Sequence, residues 1–223
     1  MSNLTLYKLD ASPPARAVMV LADILGLKFE YKDLDFANLE HKSPEYLKIN
    51  PIGTVPLLID GDFYLTDSHA MLKYLLSKYG GQHNERLYPS DVRTRALVDQ
   101  AMFFDTGVYF IQIKRVALPT LFEGMKGVPD NIIKDIEAAY SVVEAFLKNG
   151  PYVAGEQFTI GDISLGLTTA AMQSILTLDK AKYPRTAAWL DRLRQLAPFK
   201  KHSELSCNIL GDILQNSWAK NNA

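Results

Sequence analysis

Asp60-Gly61 stands between two apolar runs, Pro56-Leu57-Leu58-Ile59 and Phe63-Tyr64-Leu65, a setting in which that dipeptide is the strongest short-range signal for a β-hairpin. Ahead of it, Leu4, Thr5, Leu6 and Tyr7 read as a short strand. Ala15 to Leu27 places Val18, Ala22 and Leu25 at helical spacing, and Phe29 to Leu34 alternates as a second strand. The order β-α-β is the unit of a parallel sheet. Asp67 to Tyr79 reads as a helix closed by Gly80-Gly81. The first part is therefore a small α/β domain, residues 1–81, followed by a polar linker over 82–91.

Beyond the linker no strand pattern remains. Val92 to Phe122 carries Phe104, Val108 and Ile111 on one helical stripe, and Asn131 to Lys148, Asp162 to Ile175 and Thr186 to Leu196 read as further helices. A last helix is expected from Asn208 to Trp218. Residues 92–223 thus form an all-helical domain. Thr159-Ile160-Gly161-Asp162, with Phe158 and Ile163 flanking, is a capping-box pattern and reads as a folding signal.

Composition removes several classes of function. Apolar residues make up 48% and charged residues 22% of the 223, which excludes disordered and fibrous chains. Lys and Arg number 24 against 25 Asp and Glu, so no excess of cations is available for phosphates and nucleic acid is not an expected partner. The single cysteine, Cys207, forms neither an internal disulfide nor a Cys-rich metal site, which fits a reducing compartment. Met1-Ser2-Asn3-Leu4 lacks a charged, apolar leader, and Asp23 interrupts the apolar stretch from Ala17 to Leu27. The expectation is a cytoplasmic protein with no membrane partner and no metal.

Five places carry candidate chemistry. Ser12 lies between a strand end and Pro13-Pro14, which suit the first helical positions. It reads as an N-cap or as a hydroxyl donor to an anion at a helix start. No serine sits in a Gly-x-Ser-x-Gly elbow, which disfavours a Ser-His-Asp hydrolase. Val55-Pro56 heads a strand. An ordinary trans proline fits there, and a cis one would expose the preceding backbone for pairing with an extended peptide. Thr66-Asp67-Ser68-His69 opens a helix, either as a capping cluster or as a grip on an amino-acid head group, with Ser68 and free N–H groups on a carboxylate and Asp67 on an ammonium. His41 sits before Lys42-Ser43-Pro44 in a polar loop and reads as a solvated side chain. Asp105 reads either as a solvated or dimer-facing acid or as a support for binding from the far side of a cleft.

The motifs Ser12-Pro13-Pro14 with Arg16-Ala17, Asn50-Pro51 with Thr54-Val55-Pro56, Asp67-Ser68-His69-Ala70, Leu87-Tyr88-Pro89, Phe104-Asp105-Thr106-Gly107 and Thr159 to Asp162 occur in register along the chain. In this arrangement the sequence resembles the insect glutathione transferases, the epsilon class most and the delta class next. The resemblance implies a thioredoxin-like N-terminal domain, a helical C-terminal domain and a homodimer. It implies that Ser12 activates the thiol of glutathione, the co-substrate. Val55 would pair through its backbone with the cysteinyl residue ahead of a cis Pro56, in the segment Gly53, Thr54, Val55, Pro56. Asp67 and Ser68 would hold the γ-glutamyl end, and His41 would approach the glycyl carboxylate. A small hydrophobic electrophile would lie against Ala11, Phe36, Val108, Ile111, Lys114, Leu118 and Phe122.

The implied function is conjugation of the thiolate to such acceptors. The alternatives are a low-turnover binder of hydrophobic ligands, or another glutathione-dependent reaction: peroxide reduction, dehydrohalogenation or isomerisation. Three residues depart from the family pattern. Asp67 replaces a commoner glutamate, and Lys114 stands where some relatives carry arginine. Gly53 stands where the family often has histidine, so a histidine at position 53 is expected to tighten glutathione binding.

Overall fold

The computed structural model describes residues 4–223; Met1 to Asn3, on which part of the expectation about a leader rests, lie outside the described residues. Strand β1 (Leu4–Lys8), helix α1 (Pro13–Leu25), strand β2 (Phe29–Asp33), a short helix α2 (Pro44–Ile49), strands β3 (Leu57–Asp60) and β4 (Phe63–Thr66) and helix α3 (Ser68–Tyr79) follow in order. The sheet runs β2-β1-β3-β4. β1 and β2 are parallel, and the other neighbours are antiparallel. This is the thioredoxin-like arrangement. The hairpin turns at Gly61, whose φ of 65° is one that only glycine adopts freely.

Helix α1 fixes how the two halves meet. Nine of its 13 residues are buried, and an α-helix apolar on all sides belongs inside a core. One side packs on the sheet domain with α3; the others meet α8 (Ile160–Met172) and α10 (Ala197–Asn222). A single apolar cluster consequently runs from Leu6 and Leu58 through Val18 and Leu21 to Leu165 and Leu214. All 13 residues of α8 are buried. Its Gly166 has no room for a Cβ, which would stand 2.6 Å from Leu193 and 2.9 Å from Phe199, so the glycine permits the close approach of the following helices. The capping box forms as expected: Asp162 accepts from the Thr159 N–H and hydroxyl at 2.9 and 3.1 Å, and also from Val153 N–H and the Trp189 indole, both at 2.9 Å.

The helical part departs from the sequence reading in three places. The linker contains a short helix, α4 (His83–Leu87). The expected single helix from Val92 to Phe122 is two, α5 (Val92–Phe104) and α6 (Phe110–Phe122), joined by one π-helical turn over Asp105–Tyr109. Such a bulge adds a residue to the helical turn and re-aims the side chains beyond it. The last helix spans 26 residues, not Asn208 to Trp218, because the first half of its buried face is Phe199, His202, Ser203 and Ser206, and polar residues there carry no apolar periodicity. Helices α7 (Asp130–Phe146) and α9 (Pro184–Leu193) lie close to their expected positions. Among the described residues no helix is long and apolar enough to cross a membrane, and no group of three or more His, Cys, Asp or Glu side chains gathers to hold a metal.

Candidate active site

Ser12 is the N-cap of α1, and the cap leaves its hydroxyl open to the other reading. Its Oγ caps α1 by accepting from Ala15 N–H at 3.3 Å, and the side chain borders a cavity of about 680 Å³. Capping uses the oxygen as acceptor and leaves its proton free to donate elsewhere. The surrounding donors have been removed. Pro13 and Pro14 carry no N–H, Ala15 N–H is spent on the cap, and Arg16 N–H donates to Ser12 O at 3.0 Å. The hydroxyl is therefore the one hydrogen-bond donor that this helix start presents, with the α1 dipole behind it.

At one end the cavity wall is polar. Val55–Pro56 is a cis peptide, and neither the N–H nor the C=O of Val55 has a partner among the described residues. Tyr46 hydroxyl and the Asn50 amide both donate to Thr54 O, at 2.7 and 2.6 Å, which pins the segment before it. Asp67 caps α3, accepting from Ala70 N–H at 2.9 Å, with backbone angles of φ 70° and ψ 115°. That conformation is costly for a residue with a Cβ, of order 1–3 kcal/mol, and is held only where the surroundings over-determine it. It leaves one carboxylate oxygen and the N–H groups of Ser68 and His69, at the first two helical positions, without intrahelical partners.

His41 is not the solvated loop residue expected from its neighbours. It is 7% exposed, stacked on Phe36 at 4.0 Å between ring centroids, and its buried Nδ1 has no hydrogen-bond partner among the described residues. Burial, and next the Lys42 ammonium, hold its pKa below the ordinary value, so the ring is neutral near pH 7. The residue lines the cavity, while its Nδ1 is shut away from it. Gly53 is not a vacant position either. Its φ is 63°, and a Cβ there would stand 2.8 Å from His41 O and 2.9 Å from Lys42 Nζ. This crowding removes the expectation that a histidine at position 53 improves the site.

Most of the remaining cavity wall is apolar. Of the residues expected there, Ala11, Phe36, Ile111, Lys114, Leu118 and Phe122 line it. Val108 does not: the π turn carries it to the surface, 48% exposed, and aims Phe110 at the cavity. Leu39 and Ile52 on the sheet side and Leu210 and Ile213 of α10 complete the wall. Asp105, at the start of the π turn, is 2% exposed, so it is neither solvated nor surface-facing. Its Oδ2 meets His69 Nε2 at 3.1 Å and accepts from the Ser164 hydroxyl, which ties α3 to α8 beneath the polar end.

Two family models match in sequence: the glutathione S-transferase N-terminal domain over residues 2–77 and the glutathione S-transferase C-terminal domain over residues 116–192. Glutathione S-transferase 1 of Manduca sexta is 39% identical over 95% of this chain and 97% of its own. The chain belongs to the glutathione S-transferase family. Among solved structures, a glutathione transferase homolog from Drosophila mojavensis with bound glutathione matches at 43% identity, covering 97% of this chain and 98% of its own, with a TM-score of 0.92. An epsilon-class glutathione S-transferase from the housefly, Musca domestica, matches at 36% identity, covering 96% of this chain and 98% of its own, also at 0.92. A delta-class structure from Nilaparvata lugens matches at 28% identity and 0.87, covering 96% of this chain and 99% of its own.

This glutathione transferase thus gathers Ser12, His41, Gly53 to Pro56, Asp67 and Ser68 along one wall, with six of the seven expected acceptor residues beyond them. The sequence reading missed Lys42, whose Nζ donates to Gly53 O at 2.9 Å and adds a cation to the polar end. It also missed Leu210 and Ile213, because the wall they form lies almost two hundred residues from Ser12. The polarity of early α10 hid the helix that delivers them.

Proposed function

We propose that this transferase attaches the sulfur of glutathione to hydrophobic electrophiles, with Ser12 as the catalytic donor. A free thiol of pKa about 8.5 is about 3% ionised at pH 7, and lowering that pKa by about 2 units takes about 2.7 kcal/mol of preference for the anion. One hydrogen bond to a charged acceptor contributes about 1.5–3 kcal/mol. The observation that carries the proposal is the Ser12 hydroxyl, unopposed by other donors at the start of α1 and bordering the same cavity as the polar and apolar lining residues. Glutathione would lie with its γ-glutamyl end against Asp67 and Ser68, its cysteinyl amide against the unpaired backbone of Val55, and its glycyl carboxylate near Lys42 and His41. The acceptor would rest on Phe36, Phe110, Ile111, Leu118 and Phe122, with the Lys114 ammonium at the rim.

On this reading residues 1–81 bind glutathione, 82–91 connect, and 92–223 shape the acceptor pocket. A homodimer would bury the exposed Val92, Leu97 and Phe103 of α5 and Phe63 and Tyr64 of β4, large side chains that a lone subunit leaves in water. A single, unpaired cysteine agrees with residence in the cytoplasm.

An aryl chloride activated by nitro groups tests the reaction. The thiolate attacks the ring carbon, a C–S bond forms and chloride leaves with the C–Cl electron pair. The wild type should turn over, and Ser12→Ala should lose about tenfold to a thousandfold in kcat while remaining folded, by analogy with other single charge-stabilising donors. Equal rates in the two proteins would return Ser12 to a capping role alone. Tight binding of the aromatic without turnover in either would favour the ligand-binding alternative.

A further inference from the structure

Ser12 closes a tight turn, its N–H donating to Leu9 O at 2.9 Å. The two carbonyls inside that turn belong to Asp10 and Ala11, and both are held by side chains. Arg16, 4% exposed, donates from Nε to Asp10 O at 2.9 Å. Ser206, fully buried on α10, donates from Oγ to Ala11 O at 3.2 Å. We propose that Ser206 is a positioning residue for Ser12, so that a helix of the acceptor-binding half sets the aim of the catalytic hydroxyl. This inference rests on Ser12 donating to the glutathione thiolate.

A serine inside a helix ordinarily returns its hydroxyl to a carbonyl of its own helix. Ser203, one turn earlier on the same buried face, does so, donating to Lys200 O at 3.2 Å. Ser206 spends its hydroxyl on a loop 195 residues away in sequence. The same helix also orients the other clamp: Arg16 Nη1 meets His202 Nδ1 at 3.3 Å, and the Arg16 guanidinium pairs with the Asp10 carboxylate at 2.8 Å. The turn before Ser12 is thus gripped on one carbonyl from α10 directly and on the other by an arginine that α10 holds. Leu210, one helical turn beyond Ser206, lines the cavity. A stabilised thiolate needs its donor within a few tenths of an ångström of the right place, and a turn with one carbonyl released loses that definition.

The test is the pH dependence of bound glutathione, read from thiolate absorbance, and of kcat, in Ser206→Ala beside Ser203→Ala. With Ser206→Ala the thiol pKa should rise by about half a unit, lowering the thiolate-to-thiol ratio about threefold at pH well below that pKa. The kcat deficit should close at alkaline pH, and the KM for glutathione should stay within twofold. Ser203→Ala, which loses a hydroxyl from the same buried face, should keep the wild-type profile. Ser206→Cys, retaining bulk and a weaker donor, should shift in the same direction by less, and it serves if the alanine variant does not fold. A wild-type profile in the soluble Ser206 variants overturns the proposal, as does an equal shift in Ser203→Ala. An unshifted thiol pKa in Ser12→Ala is a different failure: it removes the reading of Ser12 and this inference with it.

Discussion

The Lys42 ammonium donates to the carbonyl of Gly53 at 2.9 Å and lies in the space that a Cβ at residue 53 would need. The cation at this end of the site and the glycine are one arrangement. A side chain at 53 would have to displace Lys42 and hold a left-handed backbone, at about 1–2 kcal/mol for an L-residue.

Gly53→His is therefore expected to weaken glutathione, about fivefold or more, and to lower Tm. Gly53→Ala should do the same with a smaller steric load. Titration calorimetry with glutathione reads the affinity directly. Unchanged or tighter binding in the histidine variant would show that the loop relaxes around the new side chain.

Asp105 anchors His69 and Ser164 with one carboxylate oxygen. Taking an acceptor away from buried groups costs about 1–3 kcal/mol for each one left unsatisfied. Asp105→Ala should lose stability on that scale in urea. It should also raise the KM for glutathione more than the KM for the acceptor, because the released His69 sits in the first turn of α3 beside Ser68. A stability loss with both Michaelis constants unchanged would confine Asp105 to a structural role.

His202 is 1% exposed, its Nδ1 facing the Arg16 guanidinium and its Nε2 2.9 Å from Asp23 Oδ2, with Lys201 on the same aspartate. Burial lowers its pKa beyond what the Asp23 carboxylate restores. The folded chain then binds fewer protons than the unfolded one just below the ordinary value of 6.5, so the contribution to stability is present above that pH and lost as pH falls through it. Tm should drop on going from about pH 7.5 to about pH 5.5, and His202→Gln should flatten the drop. His41, shifted in the same direction, will leave some slope in that variant. A His202→Gln curve parallel to the wild type would contradict the assignment.

Phe103 on α5 is 68% exposed and Val92 78%. Light scattering at micromolar concentration should give twice the 25.0 kDa subunit mass, and Phe103→Glu should shift the population toward that single mass. A wild-type monomer would leave these apolar side chains without the partner assigned to them.

Apart from α2, which the sequence reading left within a polar loop, the sheet domain was legible because its elements obey local rules. Gly61 marks the hairpin, Pro13 and Pro14 the start of α1, and Leu4, Leu6, Leu57 and Leu58 the buried positions of adjacent strands. The candidate site was legible where backbone chemistry dictates residue type, at Ser12 and Asp67, whereas the cis Pro56 followed only from the resemblance, since a trans proline also fits a strand start. It was not legible where burial contradicts polarity. His41, Asp105, His202 and Ser206 look like surface residues in sequence and are each at least nine-tenths buried, because every one answers a partner remote along the chain or lines the cavity. The π turn left no sequence mark, since a change from i−4 to i−5 hydrogen bonding shifts the stripe by a single residue. Val108 falls off the cavity wall, which Thr106 and Phe110 on either side of it line.

Because α1 is shared between the sheet and the helices α8 and α10, neither half owns a complete interior. Calorimetry should record one endotherm, not two, with the calorimetric and van't Hoff enthalpies in agreement. A gene fragment ending in the linker would leave bare the face of α1 that meets α8 and α10. Swapping helical halves between relatives would then require matching the residues that touch α1 as well as those that touch the ligand.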